Sequence, residues 1–475
     1  MPHPPSDLAT APESAAPSPR ALVARRVLQG GVLLGVLADP LLRNEQWGLG
    51  LLVWMVAFAV IATLIVHQNR RPLSLESRLW LAVAVCSAAG LSWRGADLLQ
   101  FFDVLAMLAA LVLLAMSINA VPVAGLALAR VRDLIQAAFG TGVDVATGAF
   151  ALLVRDAELH TARRPTNDGR VWRIGRAVLI TAPILFVFTL LLAHTDVTLA
   201  LGALNVLFGA FVVVQIGWLF GGEALVLRTT GLSYAEYARR GFFELMGVAG
   251  LLLPVLLGAQ ALIPATDVRT LRFYRRLALP LVVLLGAIMG SAGARMQLYV
   301  QYYGISTDRL YAMAVMIWLA IVFVWFTVTV LRSRPGSFAT GLVVSGFAAL
   351  FTLNVLNPDA LVARANLARG EAGRTGAAGA DLRYVASLGG DAVPMLLSAL
   401  TAPGVAAGTA VPRDRCVAAA ILLNRWTGER RAWMVSNWTQ WNSARRHAAL
   451  AVRANQAALQ RLACPDSGRG AYSGR

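Results

Sequence analysis

The sequence contains no lysine, so each of its 42 basic residues is an arginine, and only 14% of its residues carry a charge. Soluble globular domains have about 25% charged residues. In contrast, 57% of this 475-residue chain is hydrophobic, and its mean hydropathy is +0.63. The scarcity of charge excludes an ordinary soluble domain and predicts a polytopic membrane protein. The net charge of +17 suits contact with anionic lipid headgroups and does not require nucleic acid as a partner.

Cysteine and histidine are also scarce. The three cysteines and five histidines show no CxxC or HExxH spacing, so we predict no metal site. Walker, GxSxG and dinucleotide-binding glycine patterns are absent as well, and we therefore predict no cofactor and no enzymatic activity. Cys416 and Cys464 lie in the C-terminal tail, where they can pair only if that tail faces an oxidising compartment.

Long apolar runs fill most of the chain up to residue 356. A membrane-spanning helix needs about 20 apolar residues. Runs of about this length occur at residues 27–42, 47–66, 79–93, 98–118, 177–194, 199–220, 242–263, 277–295, 310–331 and 338–356. The fold class that follows is all-α, a polytopic transmembrane helical bundle of about ten spans with a small helical C-terminal extension.

Composition divides the chain into three parts. Residues 1–26 form a Pro/Ala-rich tail that cannot build a core and is predicted to be disordered. Residues 27–356 form the bundle, with an amphipathic connection at 119–176 that we expect to lie on the membrane surface. Residues 357–475 form the polar extension, with helices expected at 381–400 and 413–462. Its mixture of Arg and Trp is typical of a lipid-facing or self-packing helix, and less so of a nucleic-acid-binding one.

A polar seam connects two apolar runs in the middle of the chain. Ser233 and Glu236 form a capping box, which predicts a helix that begins at Ser233. Glu236, Arg240 and Glu244 then recur every four residues, which puts their charges on one helical face. Glu244 lies about one turn inside the apolar run, where a carboxylate requires a partner or water. A surface ion pair and a functional polar site both fit this pattern.

Three further polar positions are candidates for the site. Asp103 is a lone carboxylate within the run 98–118, and we expect it to be paired. Arg295 closes the run 277–295 and is followed at helical spacing by Tyr299 and Tyr302. A binding site and an interfacial arginine beside an aromatic belt both fit this face. Asn205 and Gln215 fit simple hydrogen bonding between helices.

Four blocks of the second half carry a resemblance to a known family. They are WLFGG at 218–222, YAEYARRGFFEL at 234–245, RMQLYVQYYG at 295–304 and LNPDALVARANLARG at 356–370. In this order they resemble a bacterial family of polytopic integral membrane proteins of unknown function. The resemblance implies a multi-pass membrane fold and no particular activity, substrate or cofactor. The family pattern has a Tyr where Ala365 stands, so no aromatic role carries over to that position.

The distribution of arginine predicts the orientation of the chain. With the N-terminus inside, 18 arginines fall in inner segments and eight in outer ones, which favours a cytoplasmic N-terminus. The segment 264–276 conflicts with this scheme, since it places four arginines outside and suggests a re-entrant segment or a miscounted span. We expect the protein to lie in the bacterial inner (plasma) membrane.

Three functions are compatible with these features. We expect most a non-enzymatic membrane scaffold that binds a partner protein or lipid, with the bilayer as its surroundings and no nucleic acid. A transporter or permease for a small anionic solute is the alternative, with Arg240 and Arg295 as its cations. A membrane-embedded transferase is the third, with Glu244 or Asp103 as base. A water-accessible cavity that reaches these residues favours transport, whereas a filled bundle favours a scaffold.

Overall fold

The structure is a computed structural model that describes most of the predicted bundle and extension. The described residues are 19–43, 47–68, 73–118, 197–220, 234–264, 266–332, 336–371, 381–402, 413–428 and 437–464. They form helices and turns and contain no strand, which confirms the all-α class. The connection 119–176 and the run 177–194 lie outside the described residues.

The first four helices form two antiparallel hairpins. Helix α1 covers Pro19–Leu42, α2 covers Leu49–Gln68, α3 covers Leu75–Trp93 and α4 covers Asp97–Ile118. Helix α1 begins within the predicted tail, so the helical part of the chain starts earlier than expected. Gly30 lies against Ile61 and Ile65, which shows that α1 and α2 run in opposite directions. Hydrogen bonds near both ends of α3 and α4 show the same for this pair, as at Ser77–Ser117.

A second group of helices follows the undescribed stretch. Helix α5 covers Val197–Phe220, α6 covers Tyr234–Leu262, α7 covers Val268–Tyr303, α8 covers Thr307–Thr329 and α9 covers Gly336–Leu356. Their core joins α5, α6, α7 and α8 through buried aliphatic and aromatic side chains such as Leu256, Leu285 and Phe326. The Tyr274 hydroxyl donates to the Leu256 carbonyl at 2.9 Å and ties α7 to α6.

Helix α7 corrects the prediction for residues 264–295. The loop expected at 264–276 is mostly helical, because Asp267 caps the first turn by accepting from the Thr270 N–H and the helix then continues for 36 residues. A helix of this length spans about 54 Å, more than the ~30 Å of hydrocarbon. The arginines at its start therefore mark a helix that extends beyond the apolar layer, and no re-entrant segment is present there.

Six of the described helices are long and apolar enough to cross a membrane. They are Leu49–Gln68, Leu75–Trp93, Asp97–Ile118, Val268–Gln297, Thr307–Thr329 and Ser337–Leu356. Two shorter apolar stretches, Thr198–Val213 and Met246–Leu262, lie within α5 and α6. The chain is thus a multi-pass membrane protein in its described part, while the predicted count of about ten spans is not confirmed.

The C-terminal extension folds into a compact helical domain. It comprises α10 (Pro358–Glu371), α11 (Leu382–Ser387), a 3₁₀ turn at Gly390–Ala392, α12 (Val393–Thr401), α13 (Arg413–Thr427), a 3₁₀ turn at Trp438–Gln440, α14 (Ser443–Ala454) and α15 (Gln456–Leu462). The two long helices expected at 381–400 and 413–462 were wrong, because both are divided by turns. Trp426 is buried in the core of this domain with Leu396 and Leu422, so this part of the Arg/Trp mixture packs on itself.

The C-terminal helical domain contacts one end of the bundle, which we call the docking end. The Leu49 N–H donates to the Trp441 carbonyl at 2.9 Å, and the Thr307 N–H donates to the Tyr384 hydroxyl at 2.8 Å. The Asn366 amide donates to the carbonyl of Ile305, the residue that follows the C-cap of α7. The starts of α2 and α8 and the ends of α3, α7 and α9 therefore share this end. The opposite end is called the far end below.

Candidate functional site

The most polar buried region lies where the C-terminal helical domain meets the loop between α3 and α4. Helix α3 ends at Trp93 because Arg94 adopts an extended conformation, and the Arg94 N–H donates to the Gly90 carbonyl. The Arg94 guanidinium lies over the Trp93 ring, 3.9 Å from its centroid. Arg94 is only 8% exposed, so its charge is held inside the protein.

Three groups bind the Arg94 guanidinium. Its Nε donates to the Asn354 carbonyl at 2.6 Å, and Nη2 donates to the Val355 carbonyl at 3.4 Å. These carbonyls belong to the last turn of α9, where helical carbonyls lack partners and the helix dipole is negative. Nη1 lies 3.4 Å from Oδ1 of Asp391, a residue of the C-terminal helical domain. Arg94 therefore connects three segments that are distant in sequence.

The Asp391 carboxylate is satisfied by the same junction. Its Oδ2 accepts from the Gly95 N–H at 2.9 Å, and its Oδ1 accepts from the Asn357 amide at 2.9 Å. Asn357 has a positive φ of 56°, which an asparagine tolerates better than most residues. This conformation turns the chain from α9 into α10 and places the amide against Asp391.

Asp359 is a second buried carboxylate, in the first turn of α10. Its Oδ2 accepts from the Gly389 N–H at 2.8 Å, and the residue is 3% exposed. Burial raises the pKa of Asp359 to about 6, although the hydrogen bond from Gly389 opposes this rise. Gly389 is required here, because a Cβ at this position would collide with the Asp359 carboxylate and the Gly95 backbone.

Asn442 fixes the opposite side of the α3–α4 loop. Its amide donates to the carbonyls of Leu91 and Arg94, both at 2.8 Å. Its Oδ1 accepts from the Arg445 N–H and so caps helix α14. Gln100 completes this side by donating to the Arg94 carbonyl at 2.6 Å and accepting from the Arg445 guanidinium at 2.9 Å. The loop is thus held by side chains from both bundle and domain.

Asp103 lies below this junction, inside the apolar part of α4. It is 1% exposed, and its Oδ1 accepts from the Asn354 amide at 2.8 Å. Asn354 is the residue whose backbone carbonyl accepts from Arg94. A continuous chain of contacts therefore runs from Asp391 through Arg94 and Asn354 to Asp103. We call these four residues the polar relay.

A family model matches part of this junction. Residues 194–399 match the family model described as Domain of unknown function (DUF4153). The match covers this segment alone, which is less than half of the chain. No curated protein and no solved structure matches the chain. All four blocks that carried the resemblance lie within this matched segment, which we call the DUF4153 segment, and the match confirms the predicted resemblance to a family of unknown function.

The polar relay crosses the boundary of the DUF4153 segment. Asn354 and Asp391 lie within it, whereas Arg94 and Asp103 belong to the preceding helices. The relay therefore fastens the DUF4153 segment to the N-terminal helices. Asn442, beyond the segment, binds the same α3–α4 loop through the carbonyls of Leu91 and Arg94.

The structure gives different results for the candidate site residues predicted from the sequence. Glu236, Arg240 and Glu244 lie on α6, but their side chains are outside the described residues, so their coupling stays a prediction. Tyr299 packs under the guanidinium of Arg309, 4.1 Å from the ring centroid to the Cζ atom. Arg295 lies on the same helix as Tyr299, one turn earlier. Of the predicted candidates, only Asp103 is placed in the polar relay.

Sequence reasoning missed three of the four relay residues. Arg94 was counted only as a loop arginine, and Asn354 lies 251 positions from its partner Asp103. One signal was available: Arg94 lies in the short connection between the apolar runs 79–93 and 98–118, and Asp103 lies near the start of the second run. By contrast, hydrogen bonding by Asn205 was predicted, and its amide donates to the Leu277 carbonyl of α7 at 2.9 Å. Gln215 lies outside the described side chains.

Three grooves on the described surface are apolar. One lies between α2 and α3, one between α7 and α8, and one between α4 and α9. None of the three is lined by Arg94, Asp103, Asn354 or Asp391. Where the structure describes the chain, no group of three His, Cys, Asp or Glu residues is arranged to hold a metal ion.

Proposed function

We propose that this protein is a non-enzymatic scaffold of the bacterial inner membrane that presents its C-terminal helical domain outside the cytoplasm. The observation that carries this proposal is that the buried cation of the junction is already bound by the chain itself. Each of the three guanidinium nitrogens of Arg94 donates to the chain: Nε to the Asn354 carbonyl, Nη2 to the Val355 carbonyl and Nη1 to Asp391. A cation used in this way holds two parts of one protein together and is not free to bind a solute.

The burial of the junction supports the same function. Asn442, Asp359 and Asn354 are 2%, 3% and 5% exposed, so the junction is filled. A permease requires a water-accessible route to its polar groups, and the apolar grooves described above do not reach them. The alternative of an anion transporter therefore receives no support from the junction.

The arginines of the bundle support an orientation with the far end in the cytoplasm. Nine described arginines lie at the far end: Arg20, Arg25, Arg26, Arg78, Arg269, Arg272, Arg275, Arg276 and Arg332. Six lie in the docking-end half of the bundle: Arg43, Arg94, Arg239, Arg240, Arg295 and Arg309. Arginine is enriched on the cytoplasmic side, and the charge of a long domain has little influence on its side. The C-terminal helical domain is then extracytoplasmic.

A disulfide supports this side independently. Cys416 and Cys464 are bonded, with their Cα atoms 5.1 Å apart, and they join the start of α13 to the end of α15. Disulfides persist in oxidising compartments such as the bacterial periplasm and are rare in the cytosol. Two unrelated features, the arginine distribution and the cysteine pair, thus favour the same side for the domain.

The exposed face of α14 is a suitable surface for a partner. Arg446, Leu450 and Arg453 follow one another at helical spacing, and Leu450 is 46% exposed although it is a large apolar residue. A basic face with an apolar centre suits an acidic protein segment. The test is a photo-crosslinking residue placed at Leu450 in living cells, with the same residue at the exposed Leu207 of α5 as control.

The scaffold proposal expects discrete protein adducts at position 450 and not at position 207. Adducts at 450 should diminish when Arg446 and Arg453 are changed to Glu, because both charges then repel an acidic partner. Flux of small anions through liposomes containing the purified protein, lost in Arg94→Ala, would establish transport and overturn the proposal. Equal adduct patterns at both positions would also contradict it.

A further inference from the structure

The innermost pair of the polar relay has two oxygen atoms without a hydrogen-bond partner. Asp103 and Asn354 share one hydrogen bond, from the Asn354 amide to Asp103 Oδ1 at 2.8 Å. The remaining oxygens, Asp103 Oδ2 and Asn354 Oδ1, are buried and unpartnered. Both oxygens are hydrogen-bond acceptors if the carboxyl is ionised. The pair therefore lacks a donor.

Gly90 shows that the two oxygens face the same place. A Cβ on Gly90 would lie 2.7 Å from Asp103 Oδ2 and 3.0 Å from Asn354 Oδ1. Both oxygens thus lie within 3.0 Å of one point beside α3. The absence of a side chain at Gly90 permits this arrangement, and it leaves the two acceptors next to each other within a membrane-spanning segment.

We propose that Asp103 is a proton-binding site and that its carboxyl is held there as the neutral acid. Its hydroxyl then donates to Asn354 Oδ1 while the Asn354 amide donates to Asp103 Oδ1, which closes a cyclic acid–amide pair. One hydrogen satisfies both unpartnered oxygens. It also removes a buried charge that costs several kcal/mol in a bilayer when it is not paired.

Other ways of neutralising Asp103 fit the surroundings less well. Arg94, the cation joined to the pair, directs its donors at the Asn354 and Val355 carbonyls and at Asp391. Two oxygens are too few for a Ca²⁺ or Mg²⁺ ion, which takes six or more ligands. Tyr311 of α8 interacts electrostatically with Asp103 and with the carboxylates of Asp97, Asp359 and Asp391, and none of these groups adds a positive charge. A proton is the ligand that this geometry accepts.

The site connects a proton inside the bundle to the docking of the domain. Loss of the proton leaves Asp103 as a carboxylate with two acceptor oxygens. The Asn354 amide donates to only one of them. Asn354 contacts Asp103 with its side chain and Arg94 with its backbone carbonyl. Proton occupancy at Asp103 and the contact between Arg94 and Asp391 are therefore linked through Asn354.

Infrared difference spectroscopy on the purified full-length protein tests the proposal. The spectrum of the wild type minus that of Asp103→Asn at neutral pH should contain a carbonyl stretch of a protonated carboxylic acid, which shifts in D₂O. Asp97→Asn, at the exposed start of α4, is the matched control and should instead remove carboxylate bands. Carboxylate bands in the Asp103 difference spectrum would overturn the proposal.

Two further measurements test the proposal if one variant folds poorly: thermal melting of single variants, and a double variant in which Asp103 and Asn354 exchange places. Asp103→Asn should melt at or above the wild-type temperature, because an amide–amide pair preserves both hydrogen bonds. Asp103→Leu should melt lower, since it removes the carboxyl that accepts from the Asn354 amide and leaves Asn354 Oδ1 buried without a donor. The swap Asp103→Asn with Asn354→Asp should restore the acid band with the roles exchanged. A swapped protein that folds and shows carboxylate bands would count against a proton site.

Discussion

Arg94 and Asp391 lie 297 positions apart in the sequence, yet Nη1 of the one lies 3.4 Å from Oδ1 of the other in a junction that excludes most solvent. A buried ion pair is weak evidence of net stability, because both charges lose their hydration. Removing only one of the two charged side chains is costly, however, because the other charge is then buried without a partner. We therefore expect the pair to contribute to the specificity of docking more than to net stability.

The change Arg94→Ala should undock the domain. It leaves Asp391 buried with amide donors only and removes the partner of two carbonyls at the end of α9. We expect a loss of about 3–5 kcal/mol in the free energy of unfolding. The measurement is thermal melting of the detergent-solubilised protein combined with limited proteolysis of the domain.

Two variants control this prediction. Arg446→Ala, on the exposed face of α14, should leave melting and proteolysis unchanged. Arg94→Ala with Asp391→Asn should regain part of the lost stability, because no charge remains unpaired. Equal melting of Arg94→Ala and Arg446→Ala would show that the ion pair does not hold the domain.

Gly90 should not tolerate a methyl group. A Cβ there lies 2.7 Å from Asp103 Oδ2, so Gly90→Ala forces the polar relay apart and should cost about 1–3 kcal/mol. Gly286→Ala on α7 is the control, since nothing lies within 4 Å of its Cβ. That substitution should be neutral or stabilise by up to ~1 kcal/mol through helix propensity. Melting temperatures of the two proteins check the expectation, and a Gly90→Ala protein as stable as Gly286→Ala would refute it.

Stability near neutral pH should depend on Asp359. Its pKa rises from 3.8 to about 6 in the folded protein, so the folded state binds this proton more tightly than the unfolded state. The resulting stabilisation is complete below pH ~4 and is lost as the pH rises through about 6. The melting temperature of the wild type relative to Asp359→Asn should therefore rise between about pH 7.5 and pH 4.5. A difference that is constant over this range would contradict the raised pKa.

The disulfide should stabilise the C-terminal helical domain. Cys416 and Cys464 close a loop across 48 positions, which the chain-entropy estimate values at about 4 kcal/mol. Cys416→Ser and Cys464→Ser should lower the stability of the domain equally, and the double variant should lose no more than either. Cys86→Ser, which removes an unbonded cysteine, is the control. Additive losses from the two single changes would show that the cysteines act separately.

The sequence predicted the class of the fold because hydropathy depends only on local composition. It failed at helix α7, which begins at Val268, because Arg269, Arg272, Arg275 and Arg276 precede the apolar run 277–295. Hydropathy reports where a helix enters hydrocarbon and not where the helix begins. The broken helices of the C-terminal domain escaped prediction for a related reason, since Asn437 and Asn442 act as caps within a stretch of good helix formers.

The polar relay was predictable only in part. Asp103 was expected to be paired, because an isolated carboxylate in a bilayer is costly. Its partner Asn354 and the further members Arg94 and Asp391 come from other helices, and no local pattern connects them. The sequence did not decide whether Cys416 and Cys464 form a disulfide, because that depends on the compartment that the C-terminal helical domain faces.

The side of the C-terminal helical domain is the central claim, and labelling of single cysteines measures it most directly. In a Cys86→Ser background that keeps the disulfide, Arg446→Cys reports on the domain and Arg276→Cys reports on the far end of α7. A membrane-impermeant maleimide added to intact cells should label position 446, while position 276 should react only after the membrane is opened. Labelling of position 276 and protection of position 446 in intact cells would contradict the account.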